Sequence, residues 1–165
     1  MSNTITLPIL KPVHLQQTFC QALPKILGCK EYSDQEELIL KIDRLLTKSG
    51  VEDFFLKSSL ERYDEERRDT IDEWCRVRFG QHSIRALRCT VLRNLLGESL
   101  RGMSKRLAEC VLYQRFCRLN DFELTRIPSK STLQSYVPSD NYNYPLTTIK
   151  ITHFVVGKID VLARI

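Results

Sequence analysis

The chain reads as all-α: a multi-helix bundle followed by a short strand-prone or disordered tail. Three observations predict this. Apolar residues recur at three- and four-residue spacing from Leu38 to Leu46, from Ile84 to Leu96 and from Leu107 to Leu119, the period of a helix with one buried face. Helix punctuation brackets these runs: Ser33-Asp34-Gln35-Glu36-Glu37 opens the first, Ser49-Gly50 closes it, and Gly97 closes the second. The helical pattern then stops at Pro138, after which Ile, Val and Thr dominate, as they do in strands. The chain accordingly divides into an N-terminal lead-in (1–32), a helical domain (33–137) and a divergent tail (138–165).

Composition narrows the class. A chain of 165 residues with 42% hydrophobic content buries one sizeable core. No apolar run approaches the roughly 18 residues that span a bilayer. The N-terminus lacks the basic-then-apolar layout of a secretory signal. A cytoplasmic protein without a membrane partner is expected. The cysteines Cys20, Cys29, Cys75, Cys89, Cys110 and Cys117 fall mostly inside helical patterns and form no C-x-x-C pair. With His14, His82 and His153 scattered, they read as buried reduced thiols rather than as disulfides or zinc ligands. No metal and no small-molecule cofactor is expected.

The net charge of +5 is unevenly spread. Residues 1–30 carry +3, residues 31–79 carry −5, residues 80–137 carry +6 and the remainder +1. A basic C-terminal half of the helical domain is the electrostatic footprint of a phosphate-facing surface; a solvated helix face is the equal alternative from charge alone.

Taken in order, residues 1–32 contain Pro8, Pro12 and Pro24, with one short helix expected between Val13 and Leu27 and ended by Gly28. Ser33 to Glu37 caps the first core helix, whose apolar stripe is Leu38, Ile39, Ile42, Leu45 and Leu46. Val51 to Leu56 reads as a short apolar turn. Leu60 to Arg78 reads as one long charged helix with Leu60, Tyr63, Ile71, Trp74, Cys75 and Val77 inward. Glu61 and Glu65 with Arg68, and Asp72 with Arg76, have the spacing to pair along it. Its carboxylates lie among arginines at solvated positions and are given no metal or acid–base role.

Gly80 punctuates, and Ser83 begins a helix with Ile84, Leu87, Val91, Leu92, Leu95 and Leu96 inward and Arg85, Arg88 and Arg93 outward. Those arginines either touch phosphate or bond to the acidic helix before them. Gly102-Met103-Ser104 starts the next helix, with Ser104 capping the turn at Lys105. Leu107, Ala108, Val111, Leu112, Phe116 and Leu119 form its buried face, and Tyr113 and Phe116 are core aromatics rather than base-stacking groups. Arg115 and Arg118 suit the helix C-terminus. Asn120-Asp121 makes a turn, with Phe122 and Leu124 anchoring the connection.

The last helix start is Pro128-Ser129-Lys130-Ser131, where Ser129 or Ser131 serves as cap. Lys130, Thr132, Gln134 and Ser135 face outward while Leu133, Tyr136 and Val137 point back. A short polar, basic helix propped on a buried one is how helix-turn-helix modules offer a reader to the major groove. Gln134 suits a bidentate bond to adenine. Ser129 and Ser131 combine capping with phosphate contact at the helix end. Arg126 beside this helix, and Arg101, Lys105 and Arg106 on the preceding one, complete the candidate DNA-binding set.

A resemblance sharpens this reading. Arg101, Ser104, Leu107, Ala108, Glu109, Phe116, Cys117 and Leu119, followed by Ile127-Pro128-Ser129-Lys130-Ser131-Thr132-Leu133, follow the pattern R-x-x-S-x-x-L-A-E…F-C-x-L…I/V-P-S-K-S-T-L. In this the chain resembles the N-terminal helical region of DDE-type insertion-sequence transposases, over roughly residues 33–137, with S-K-S-T-L as the specific part. The resemblance implies a module that recognises double-stranded DNA at the terminal inverted repeat of its element during transposition. In such transposases an RNase-H-like domain follows, with three carboxylates holding two metal ions. After Val137 this chain has only Asp140 and Asp160, so no catalytic residue is assigned. The expectation is a transposase truncated before its catalytic domain, with an out-of-frame tail as one origin of residues 138–165, and not an enzyme. A homodimer is a further partner. The reading from another class is a helical protein-interaction or dimerisation module without DNA binding.

Overall fold

The computed structural model describes residues 28–66, 72–121 and 124–136. The expected helix at Val13–Leu27, Cys20, Arg68, Ile71, Phe122, Val137 and the whole strand-prone tail lie outside the described residues. Those described form an all-α domain of six helices: α1 (Lys30–Lys48), α2 (Val51–Glu66), α3 (Glu73–Leu96), α4 (Leu100–Glu109), α5 (Val111–Phe116) and α6 (Lys130–Tyr136). A two-residue ribbon, β1 (Asn120–Asp121) antiparallel to β2 (Leu124–Thr125), links α5 to α6; Asn120 pairs with Thr125 and Asp121 with Leu124. Asn120-Asp121 is therefore a paired strand and not the expected turn.

Helix α1 begins at Lys30, three residues before the expected cap; Ser33 Oγ instead donates back to the Cys29 carbonyl at 3.2 Å. Ile39, Ile42 and Leu46 are buried, but Leu38 and Leu45 are exposed at the flank of the stripe. Gly50, at φ +69°, turns the chain into α2, so Val51–Leu56 is the start of a helix rather than an apolar turn.

The expected charged helix 60–78 is two helices. Helix α2 runs to Glu66, and α3 starts afresh at Glu73 with Asp72 as its cap, accepting from the amides of Trp74 and Cys75 at 3.3 Å each. Asp72 is thus used as a cap and not as a partner of Arg76, whose Nε bonds to Asp64 at 2.9 Å. Leu60 and Tyr63 are buried as the spacing implied, but Trp74 and Cys75 lie exposed on the first turn of α3, with the Arg78 guanidinium 5.2 Å above the indole. Gly80 and Ser83 are both buried inside α3. Ser83 Oγ is satisfied by the Phe79 carbonyl at 3.0 Å. The Tyr63 and Phe79 rings stack at 4.5 Å, where α2 and α3 pack together most extensively. Gly97 ends α3 in the left-handed region, φ +62°, as expected.

Ser99, not Ser104, caps α4, accepting from the Gly102 amide at 3.0 Å. Leu107 does not lead into one continuous helix. Cys110 is extended (φ −119°, ψ 108°), and the break turns Ala108 and Val111 to solvent while Leu112, Tyr113 and Phe116 stay buried. Gln114 repairs the break: its side-chain amide donates to the carbonyls of Leu107 at 2.8 Å and Ala108 at 3.3 Å.

The core runs through all six helices, from Ile42, Leu46 and Phe55 through Leu87, Val91 and Leu92 to Met103, Leu107, Phe116, Leu133 and Tyr136. At its centre lies a charge. Arg88 is 1% exposed; its Nε donates to Glu52 at 2.5 Å, and its Nη1 to Asp43 at 2.6 Å and to the Phe116 carbonyl at 2.7 Å. The second Glu52 oxygen takes Arg118 at 3.0 Å. Of the three arginines offered as phosphate contacts, Arg88 is therefore excluded: the acidic helices hold it inside. Arg85 is half-buried and donates to the Arg118 carbonyl at 2.9 Å, and Arg93 is half-buried beside Asn94. Burial opposes the Arg88 charge, yet its bonds to Glu52 and Asp43 outweigh this and hold it above the usual arginine range.

Among the described residues, no helix is long and apolar enough to cross a membrane and no cluster of three or more potential ligands could hold a metal ion. Among the described residues no cysteine is in a disulfide; Cys89 and Cys117 are buried, whereas Cys29 and Cys75 are exposed.

Two outcomes follow from these contacts. Arg88→Ala strands Asp43 and half of Glu52 without their partner and is expected to cost about 3 kcal/mol in urea unfolding; Arg88→Met, which refills the space, costs less. The Asp72 carboxylate is held below the usual aspartate range by the Cys75 thiol and by the amides of Trp74 and Cys75. Because the folded value lies below the unfolded one, the stabilisation is present above the unfolded value and is lost as pH falls through the folded one. Asp72→Asn, which keeps a cap but not the charge, should therefore lose less melting temperature than wild type between pH 7 and pH 3; equal losses would contradict the assignment.

Candidate nucleic-acid interface

Helix α6 is pinned from below. Leu133 and Tyr136 are 3% and 7% exposed, and the helix packs on α3 and α4. Lys130 and Gln134 lie one turn apart in a row on the flank of that buried face, with Ser131 and Ser135 in the next row, opposite it, all four exposed. Lys130 and Gln134 have no hydrogen-bond or ion-pair partner among the described residues. Both are thus placed as the sequence implied.

The hydroxyls at the start of α6 are more committed. Ser129 is the cap, accepting from the Thr132 amide at 3.3 Å. Its Oγ also lies 2.8 Å from Ser131 Oγ and 3.0 Å from Thr132 Oγ1. Thr132 is only half-buried rather than outward, and its hydroxyl faces the cap. That places it as a support for the helix start, with Lys130 and Gln134 as the groups free to reach a ligand. Ser135 Oγ bonds back to the Thr132 carbonyl at 2.7 Å.

Helix α4 adds a second row. Arg101 and Lys105 lie one turn apart and exposed; Lys105 makes a loose pair with Glu109 at 3.7 Å across two solvated side chains, which contributes little. Arg106 differs. Its Nε bonds to Glu98 at 3.1 Å, and that carboxylate raises its pKa, so it reaches a phosphate only by leaving Glu98. Arg126 is exposed on the approach to α6.

The two rows are joined at a point that sequence reasoning assigned otherwise. Ser104 sits mid-helix between buried Met103 and Leu107 and exposed Arg101 and Lys105, and its Oγ donates to the Pro128 carbonyl at 2.9 Å. The basic row of α4 is thereby held beside the N-terminal end of α6. At the other end, the Tyr136 hydroxyl lies 3.3 Å from His82 Nδ1 of α3, with the two rings edge to face at 5.7 Å. Neither contact carries a local signal. Ser104 matched a cap pattern, and His82 stood alone among scattered histidines.

No protein-family model, no curated protein and no solved structure matches this chain.

Removing the cap should loosen α6 alone. Ser129→Ala is expected to lower its stability by about 1 kcal/mol, seen as faster amide exchange in residues 131–136 with exchange in α3 unchanged.

Proposed function

We propose that this chain binds duplex DNA through α6, as the recognition part of an insertion-sequence transposase that reads the ends of its element. The observation that carries the reading is the pair Lys130 and Gln134: one turn apart, exposed, unpartnered among the described residues, and on the flank of the face that buries Leu133 and Tyr136. A long cation and an amide in one row supply one phosphate contact and one base-edge contact, the two kinds of bond that a groove-reading helix needs. Arg101 and Lys105 supply backbone contacts from the adjoining helix. The S-K-S-T-L resemblance supports the same assignment from the sequence side. This reading gives the chain no catalytic residue, metal or cofactor; its partner is the terminal inverted repeat.

A protein-interaction reading has its own support in Leu38, Phe54 and Trp74, which are 45%, 57% and 65% exposed. These lie on α1, α2 and the first turn of α3, away from α6 in sequence, and they suit a second copy or another protein. The two readings separate by salt. Duplex binding weakens with a log–log slope near −0.9 per phosphate neutralised, whereas apolar association does not.

The test is titration of an element-end duplex across a salt series. Lys130→Ala should reduce the slope by about 1, and Gln134→Ala should weaken the matched duplex by about tenfold and relax discrimination at one base pair. Both variants should retain wild-type helicity. If the double variant binds the matched duplex as wild type does, α6 is not the reader.

A further inference from the structure

A seven-residue helix does not hold its own shape or attitude in water; whatever grips it decides where it points. Leu133 and Tyr136 fix how deep α6 sits, but apolar contact is non-directional and tolerates tilt and rotation. Among the described residues, directional contacts reach α6 at both ends, each from a different helix. Ser104 of α4 donates to the Pro128 carbonyl, immediately before the Ser129 cap, and His82 of α3 meets the Tyr136 hydroxyl on the last turn.

The Ser104 contact is the more telling. A serine inside a helix ordinarily returns its hydroxyl to a carbonyl of its own preceding turn, as Ser83 does to Phe79. Ser104 reaches across to another element instead. The acceptor is equally particular. Pro128 is buried and has no amide hydrogen, and the Thr132 amide that would otherwise approach its carbonyl is taken by Ser129 Oγ. One hydroxyl therefore satisfies a buried carbonyl and ties the base of α6 to the flank of α4 at the Arg101–Lys105 row.

We infer that Ser104 is a positioning residue for DNA readout, with His82 as the counter-clamp: it sets the angle of α6 to α4 and so the register of Gln134 on the bases. This rests on α6 being the reader. The consequence is a division of labour. A bidentate amide-to-base bond tolerates only about 0.5 Å and 10–20° of error, so it is lost when α6 tilts. The phosphate contacts of Lys130, Arg101 and Lys105 ride on long flexible side chains and follow the duplex. Loss of the clamp should cost discrimination and spare general affinity.

The experiment uses the full chain with Ser104→Ala, Ser104→Thr and His82→Phe, the last keeping the ring and losing its nitrogen. Residual dipolar couplings of the free protein report the α4–α6 angle. Binding to the element-end duplex and to a scrambled duplex of the same length reports discrimination and salt slope. The expected result is a changed angle and about fivefold poorer discrimination for S104A, with scrambled-duplex affinity and salt slope at wild-type values. S104T, which keeps the hydroxyl, should restore both, and H82F should move both in the S104A direction. Discrimination and angle unchanged in S104A would overturn the assignment while leaving the reader helix standing. Equal loss on both duplexes, with amide protection gone from α6, would also overturn it, because Ser104 would then only keep the helix folded. A wild-type chain that does not distinguish the two duplexes would overturn the reader and the positioning role together.

Discussion

The fold is organised by one buried charge. A guanidinium at 1% exposure loses the hydration of a full cation, and the loss is tolerable only if carboxylates and carbonyls arrive with it. For Arg88 they come from three other elements: Asp43 on α1, Glu52 on α2 and the Phe116 carbonyl at the end of α5. The Phe116 ring lies 5.2 Å from the same guanidinium. One nitrogen, Nη2, has no hydrogen-bond partner among the described residues, which is the residual cost of the arrangement. An apolar side chain at this position would bring no directional demand. Arginine requires α1, α2, α3 and α5 to meet in one register. The demand passes on, because the second oxygen of Glu52 takes Arg118, which stands at φ +53° where the chain leaves α5 for the ribbon. A non-glycine residue rarely holds that backbone region unless its surroundings fix it. Here the side chain is fixed by Glu52 and the carbonyl by Arg85, so the path toward α6 starts from a restrained point.

This network also accounts for part of the uneven charge. The acidic stretch 31–79 and the basic stretch 80–137 read equally well as packing partners or as a DNA-facing polarity. The structure sorts the two meanings by residue. Arg76 with Asp64, Arg88 with Asp43 and Glu52, Arg118 with Glu52 and Arg106 with Glu98 are internal. Arg101, Arg126 and Lys130 have no carboxylate partner among the described residues, and Lys105 has only a distant one. Cations without a carboxylate partner among the described residues thus lie on α4, on α6 and on the approach between them, and also at Arg44 and Lys48 of α1 and Arg115 of α5.

Much of this was legible in the sequence, for identifiable reasons. The all-α class, the stop at Gly97, the buried faces of Ile84, Leu87, Val91 and Leu92, and the outward Lys130 and Gln134 follow from periodicity and local caps, which are properties of short stretches. The errors have one shape. Gly80 and Ser83 look like a stop and a start but are a buried glycine inside α3 and a hydroxyl bonded within it, because the helix that surrounds them continues through both. The break at Asp72 is hidden because helix-favouring charged residues flank it. Arg88 was placed outward because arginine usually is, and its burial depends on Asp43 and Glu52, 45 and 36 residues away. Ser104 likewise spends its hydroxyl on a carbonyl 24 residues further along. What depends on a distant partner cannot be read from spacing.

The break at Cys110 shows how such a departure bears on the proposed site. A continuous helix from Leu100 to Phe116 would extend about 25 Å, at 1.5 Å per residue, and would carry Tyr113 and Phe116 away from α1. With Cys110 extended, α5 turns back so that the Tyr113 hydroxyl accepts from Gln35 of α1 and the Phe116 carbonyl reaches Arg88. The carbonyls exposed by the break are not left bare, since Gln114 covers those of Leu107 and Ala108. Helix α4 is left as a ten-residue piece in contact with both α5 and α6. Beyond the break, α5 supplies the Phe116 carbonyl to the buried arginine; before it, Ser104 of α4 bonds to the Pro128 carbonyl at the base of α6, so the bend at Cys110 stands between the contact that closes the core and the contact that holds the last helix.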